Sequence, residues 1–183
     1  MVRNRRRDIL ETVAFLAVLI IGFYGVNYGL KVALNTEYPL EAVVSASMYP
    51  TLQVGDLIVV QGGVEPDQIV AGTPPIGDII VFHKPNNWDE LIVHRVVEKY
   101  RKDGSWFFIT KGDNNQVKDP YPVPEKNVVG KVIGKIPWVG YIRIVFGTTE
   151  GLLLIVIIIV LILFSDDILG FIRKSNGRDS LAT

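Results

Sequence analysis

The stretch "GDIIVFHKPNNWDELIVHRVVEK", Gly77 to Lys99, decides the fold. Two runs rich in Val and Ile, Ile79 to Phe82 and Leu91 to Val97, flank "KPNNWDE", Lys84 to Glu90, a hairpin-like connection dense in turn formers. Runs of the same kind recur at Leu57 to Val60, Trp106 to Thr110 and Val128 to Ile136, separated by Gly, Pro, Asn and Asp clusters. Helical periodicity is nearly absent here, so a compact, mostly antiparallel β domain is expected. "GDLIVV" at Gly55 to Val60 and "GDIIVF" at Gly77 to Phe82 share turn-to-strand chemistry, and between them "QGGVEPDQIVAGTPPIG", Gln61 to Gly77, is a Gly- and Pro-rich excursion.

Outward from this segment the character changes. Residues Val13 to Leu30 carry no charge, and only Asn27 interrupts them strongly. As a helix these about 18 residues would measure roughly 27 Å, close to the hydrocarbon thickness of a bilayer. A cleaved signal peptide shares the basic start and the apolar run, but this run is long for one. Lys31 follows it without a small-x-small cleavage pattern, so a retained anchor is the reading adopted. A second run, "GLLLIVIIIVLILF" at Gly151 to Phe164, is apolar on every side and shorter. A buried core helix of that kind needs a large protein around it, so a second span is expected. Arg3, Arg5, Arg6 and Arg7 precede the first run, and Arg173, Lys174 and Arg178 follow the second. The positive-inside rule then places both termini in the cytoplasm. The expected organisation is a basic cytoplasmic tail (1–12), a transmembrane anchor (13–31), an extracytoplasmic β domain (36–140), a second transmembrane helix (148–165) and a cytoplasmic tail (166–183). The fold class is mainly β, a compact antiparallel domain flanked by N- and C-terminal transmembrane helices.

Composition narrows the chemistry. The 183 residues contain no cysteine, which removes disulfides, thiol nucleophiles and thiolate metal sites, and their formal net charge of zero offers no field for nucleic acid. The two histidines match no usual metal-ligand pattern, and the glycines form no phosphate loop. The middle segment holds three serines, Ser45, Ser47 and Ser105. Ser105 follows Asp103-Gly104, a hairpin-turn signature. Ser47 precedes Met48-Tyr49-Pro50, where a hydroxyl held at a strand end could be presented to a cleft. A serine nucleophile needs a base within hydrogen-bond reach. In "ELIVHRVVEK" strand alternation puts His94 on the face of Ile92 and Val96. His83, beside Lys84-Pro85 at a strand end, reads as solvent-exposed, so pattern favours His94. The loop "TKGDNNQVKDP", Thr110 to Pro120, supplies Asp113 and Asp119, either of which could orient a histidine.

These pieces together resemble the type I signal peptidases, in the branch found in archaea and the endoplasmic reticulum. The resemblance rests on "SASMYPTL" (Ser45 to Leu52), "GDIIVF", "VHRVV" (Val93 to Val97) and "KGDNN" (Lys111 to Asn115) with Asp119 after it, in the family's order. It implies a membrane-bound serine endopeptidase that removes N-terminal signal peptides from secretory precursors, with Ser47 as nucleophile. His94 stands where bacterial members have a lysine base, Asp119 matches the position that orients it, and Asp113 matches a second, supporting acid. Those two carboxylates could exchange roles. Ser45 resembles the residue whose hydroxyl completes the oxyanion hole, and alternation along an extended chain would set it on the same side as Ser47. The family's substrate is expected to pair as an added strand beside the serine, with small side chains at the first and third positions before the cut. The large inserted domain of many bacterial members is absent between the serine and histidine boxes.

The resemblance implies no cofactor and no metal. Implied partners are secretory preproteins, the lipid bilayer and the protein translocation machinery, with no nucleic acid. Implied localisation is the cell membrane, or that of the endoplasmic reticulum in a eukaryote, multi-pass, with the site on the extracytoplasmic side. A non-catalytic, membrane-anchored β module that binds extended peptides in the secretion machinery would keep the anchor and the sheet, but has no need of Ser47 and His94 together. A self-cleaving regulator of related fold resembles a soluble serine–lysine design, which this chain does not.

Overall fold

The structure, a computed structural model, describes residues 5–146 together with 151, 154 and 157–159. The chain divides into two compact units, Met1–Gly140 and Tyr141–Thr183. Unit one opens with helix α1 (Arg5–Ala33) and continues into strands β1 (Leu40–Ala42), β2 (Leu57–Gln61), β3 (Ile79–Lys84), β4 (Asn87–Lys102), β5 (Ser105–Lys111), β6 (Val123–Pro124) and β7 (Val128–Ile136). A short 3-10 turn, Glu125–Asn127, leads into β7, and helix α2 (Gly140–Phe146) follows it. Most of the expected second span, 148–165, lies outside the described residues.

Helix α1 extends the expected anchor at both ends. Its segment Val13–Ala33 is long and apolar enough to cross a membrane, and none of it is buried against the protein. An apolar helix that packs on nothing among the described residues is suited to lipid, where its backbone bonds are already satisfied internally. At its foot the carbonyl of Leu34 accepts from the backbone N–H of Gly62 at 2.8 Å and from Gln61 Nε2 at 3.3 Å. The helix is thereby tied to the end of β2.

The seven strands form one sheet in the order β1-β2-β7-β3-β4-β5-β6, every neighbouring pair antiparallel. Its centre explains the continuous apolar runs in the sequence. Along β3, Val81 packs with Met48, Leu52, Ile58 and Val60 on one face, while Ile80 and Phe82 pack with Ile69, Val96, Phe108 and Val123 on the other. A strand buried on both faces loses its polar alternation, as "IIVF" does. Full burial of one such side chain contributes roughly 1.5–3 kcal/mol.

The hairpin at the decisive stretch is tighter than expected. Lys84 pairs with Asn87 across Pro85-Asn86, so Asn87 to Glu90 belong to β4. The second hairpin turns at Asp103-Gly104, with φ of 52° and 85°, and Ser105 opens β5 there. Positive φ at both central residues is what a two-residue turn matched to strand twist requires. The two Gly-Asp openings use their aspartates alike: Asp56 accepts from the N–H of Gln53 and Asp78 from that of Val70.

Candidate active site

Ser47 sits on a turn rather than in a strand. Residues 45–46 form a bend and 47–50 a turn, with a cis peptide between Tyr49 and Pro50. The extended geometry expected for Ser45 and Ser47 is therefore absent. Met48 and Leu52 dictate the alternative, because both are buried in the first core, and seating them there turns the chain at the serine. The hydroxyls of Ser45 and Ser47 nevertheless lie 3.2 Å apart.

His94 reaches this turn from the middle of β4. Its Nε2 is 3.1 Å from Ser47 Oγ, and its Nδ1 is 2.7 Å from Asp119 Oδ2. Asp119 Oδ2 also accepts from Thr110 Oγ1 at 2.6 Å, while the Asp119 N–H donates to the Thr110 carbonyl at 2.8 Å. Two bonds between the same two residues fix the carboxylate relative to β5. With Nδ1–H given to Asp119, the imidazole offers Nε2 as an acceptor for the Ser47 proton, the tautomer that base catalysis needs. Both ring and carboxylate are nearly buried, each with about a tenth of its side chain exposed, so little water competes for them.

Asp113 lies in a different network. Arg95 grips it with two parallel bonds, Nε to Oδ1 at 2.7 Å and Nη2 to Oδ2 at 2.6 Å, and Thr51 Oγ1 adds a third at 2.5 Å. Burial by itself would raise the Asp113 pKa; the hydrogen bonds from Arg95 and Thr51 and the Arg95 charge outweigh it and hold the carboxyl below its ordinary value. Arg95 Nη1 also donates to the Gly77 carbonyl at 2.5 Å. All four of the quoted boxes thus meet at one buried ion pair. Tyr121 borders the site, its pKa raised by burial and by the neighbouring Asp119 charge.

The loop 112–115 grips the serine turn directly. The Asn114 N–H donates to the Ser47 carbonyl at 2.8 Å and Asn114 Nδ2 to the Ala46 carbonyl at 3.2 Å. A Cβ on Gly112 would stand 2.6 Å from the Ser47 carbonyl oxygen, so only glycine permits this approach. The backbone N–H of Ser47 makes no hydrogen bond among the described residues, which leaves it available beside the Ser45 hydroxyl.

Of the residues singled out in the sequence, Ser45, Ser47, His94 and Asp119 form one chain of contacts, and Asp113 lies in the adjoining Arg95–Thr51 network. His83 is elsewhere and is buried, against the exposure expected of it. Its ring stacks on Trp88 at 4.3 Å, and its Nδ1 donates to the Trp88 carbonyl at 2.5 Å. Thr51, Arg95, Thr110 and Asn114 had no role assigned by sequence reasoning. The first, second and last lie inside the quoted boxes, which was their signal; Thr110, next to last in β5, carried none.

The family model for "Signal peptidase, peptidase S26" matches residues 10–98. Curated relatives include the "Signal peptidase complex catalytic subunit SEC11" of Tuber melanosporum, 34% identical over 149 residues, covering 76% of this chain and 80% of the relative. The subunit of the same name in Yarrowia lipolytica is 32% identical over 156 residues, covering 79% and 84%. The human "Signal peptidase complex catalytic subunit SEC11C" is 36% identical over 151 residues, covering 78% and 75%. The chain belongs to the signal peptidase family, peptidase S26, in its archaeal and endoplasmic-reticulum branch of serine peptidases that cleave signal peptides from secretory precursors.

Proposed function

We propose that this chain cleaves signal peptides with Ser47 as nucleophile, His94 as general base and acid, and Asp119 as the group that orients His94. The observation that carries the assignment is the continuous path from Ser47 Oγ to His94 Nε2 at 3.1 Å and from His94 Nδ1 to Asp119 at 2.7 Å. His94 takes the Ser47 proton as Oγ bonds to the scissile carbonyl carbon. The oxyanion that forms is met by the Ser47 N–H and the Ser45 hydroxyl. His94 then returns the proton to the leaving amine, which departs as the new N-terminus of the mature protein. Water, deprotonated by the same imidazole, releases the signal peptide as a carboxylic acid.

The membrane arrangement belongs to the same proposal. α1 crosses the bilayer, residues 148–165 cross it again, both charged termini face the cytoplasm, and residues 36–140 work on the extracytoplasmic side. The basic residues flanking both apolar runs support this orientation. The relatives are named as catalytic subunits of a signal peptidase complex, and we extend a complex partnership with the secretion machinery to this chain. Cleavage of a secretory precursor by the full-length protein in detergent is the test. Ser47→Ala and His94→Ala should be inactive and Asp119→Asn about a thousandfold or more slower, while His83→Gln should cleave. Normal cleavage by Ser47→Ala in a peptidase-free preparation would remove the assignment.

A further inference from the structure

Where α1 meets the sheet the protein surface opens into a cavity of about 770 Å³, none of whose walls belong to the serine site. Lys31 and Asn35 line it from the foot of α1, Tyr38 from the connection to β1, His83 and Trp88 from the β3–β4 hairpin, and Lys126 from the 3-10 turn. Its walls are well fixed: Trp88 and His83 stack nearly parallel at 6°, Tyr38 packs edge-on against His83, and buried Asn127 Nδ2 donates to the His83 carbonyl at 3.0 Å. Neither Lys31 nor Lys126 has a carboxylate in ion-pair distance among the described residues, and Glu37 is the one acid in the lining. The cavity is therefore net positive.

Its depth identifies the occupant. Lys31 is in the last turn of α1, at the end of the apolar segment Val13–Ala33, so the opening lies where hydrocarbon gives way to headgroups. Tyr and Trp concentrate at that level because their rings suit the boundary, and Trp88 keeps about half of its surface exposed there. A volume of this size fits a headgroup or a small ligand. We propose that this cavity binds the phosphate-bearing headgroup of an anionic membrane phospholipid, with Lys31 and Lys126 on the phosphate and Tyr38 and Trp88 against the glycerol region. The bound lipid would fix the height of the β domain above the bilayer. The inference depends on α1 crossing the membrane and is independent of the catalytic assignment.

Native mass spectrometry of the detergent-solubilised full-length protein, with phosphatidylglycerol or phosphatidylcholine of matched chains added, tests it. Wild type should retain one phosphatidylglycerol in preference to phosphatidylcholine. Lys31→Gln and Lys126→Gln should each weaken retention about fivefold, and Trp88→Ala should weaken it with both lysines in place. Lys102→Gln, at the far end of β4, should behave as wild type. Retention unchanged in the Lys31→Gln, Lys126→Gln double variant, equal retention of phosphatidylcholine, or no retained lipid would each overturn the proposal. Displacement by equimolar inorganic phosphate would overturn its lipid source. Membrane fractionation of the same proteins reads the anchor separately: protein in the membrane fraction with no retained lipid refutes the cavity alone, and protein in the soluble fraction refutes the anchor.

Discussion

Substituting Gly112 by alanine tests how closely the loop after β5 sets the nucleophile. The new Cβ would stand 2.6 Å from the Ser47 carbonyl oxygen, and ordinary contact begins near 3.4 Å, so something must yield by about 0.8 Å. The Asn115 amide, at 2.8 Å, ends a flexible side chain and can rotate away. The Ser47 carbonyl is backbone and is held by the Asn114 N–H at 2.8 Å. If the serine turn moves by that amount away from β4, the 3.1 Å approach of Ser47 Oγ to His94 Nε2 becomes about 3.9 Å, beyond hydrogen-bonding distance. If the loop moves instead, Asp119 goes with it and His94 loses its orientation. A misplacement near 1 Å costs about a hundredfold in rate. The expected result is kcat lowered about a hundredfold with KM little changed, read in single-turnover cleavage of a precursor by protein whose thermal unfolding is that of a folded domain. Gly134→Ala is the control, because its new Cβ meets nothing nearer than Val59 at 3.9 Å. Wild-type kcat in Gly112→Ala would refute the claim that this close approach positions the serine.

Four further outcomes follow from the same geometry. Ser45→Ala should lower kcat by about a hundredfold to a thousandfold with KM held, since it removes one oxyanion donor; a change confined to KM would reassign Ser45 to substrate binding. Arg95→Met leaves the buried Asp113 carboxylate with Thr51 alone, which should destabilise the domain by about 3–5 kcal/mol in urea unfolding. Adding Asp113→Leu should recover much of that loss, and no recovery would mean that Arg95 acts chiefly through Gly77. Because the Asp113 pKa is lowered in the folded chain, folding releases protons in the carboxylate range. Its contribution is present above the unfolded value and is lost as pH falls through the folded one. Asp113→Asn should therefore flatten the acid limb of stability against pH. Cleavage should fail separately in acid once the imidazole is protonated, and full activity at about pH 4 would refute a histidine base.

The sheet was readable because its strand centres are apolar and bounded by turn formers. Their lengths were not, since "KPNNWDE" contains enough turn residues to suggest a wide loop while Lys84 and Asn87 close it in two. That tight turn also explains the misreading of His83: it returns Trp88 directly over the imidazole, a contact no local pattern announces. Ser47, His94 and both aspartates could be named from the boxes, but which acid served the histidine could not. Asp113 and Asp119 share a loop, and only the bond between Thr110 and Asp119 and the grip of Arg95 on Asp113 tell them apart. The serine turn departs from the extended geometry expected ahead of a proline because burial of Met48 and Leu52 governs there.

The segment from Gly112 to Asp119 holds the Ser47 carbonyl at one end and the His94 imidazole, through Asp119, at the other. It therefore behaves as a gauge: its contour length sets the gap between the two reacting groups. Sequence drift in most loops alters a surface, whereas one residue added or lost here would detune attack and proton transfer in a single step.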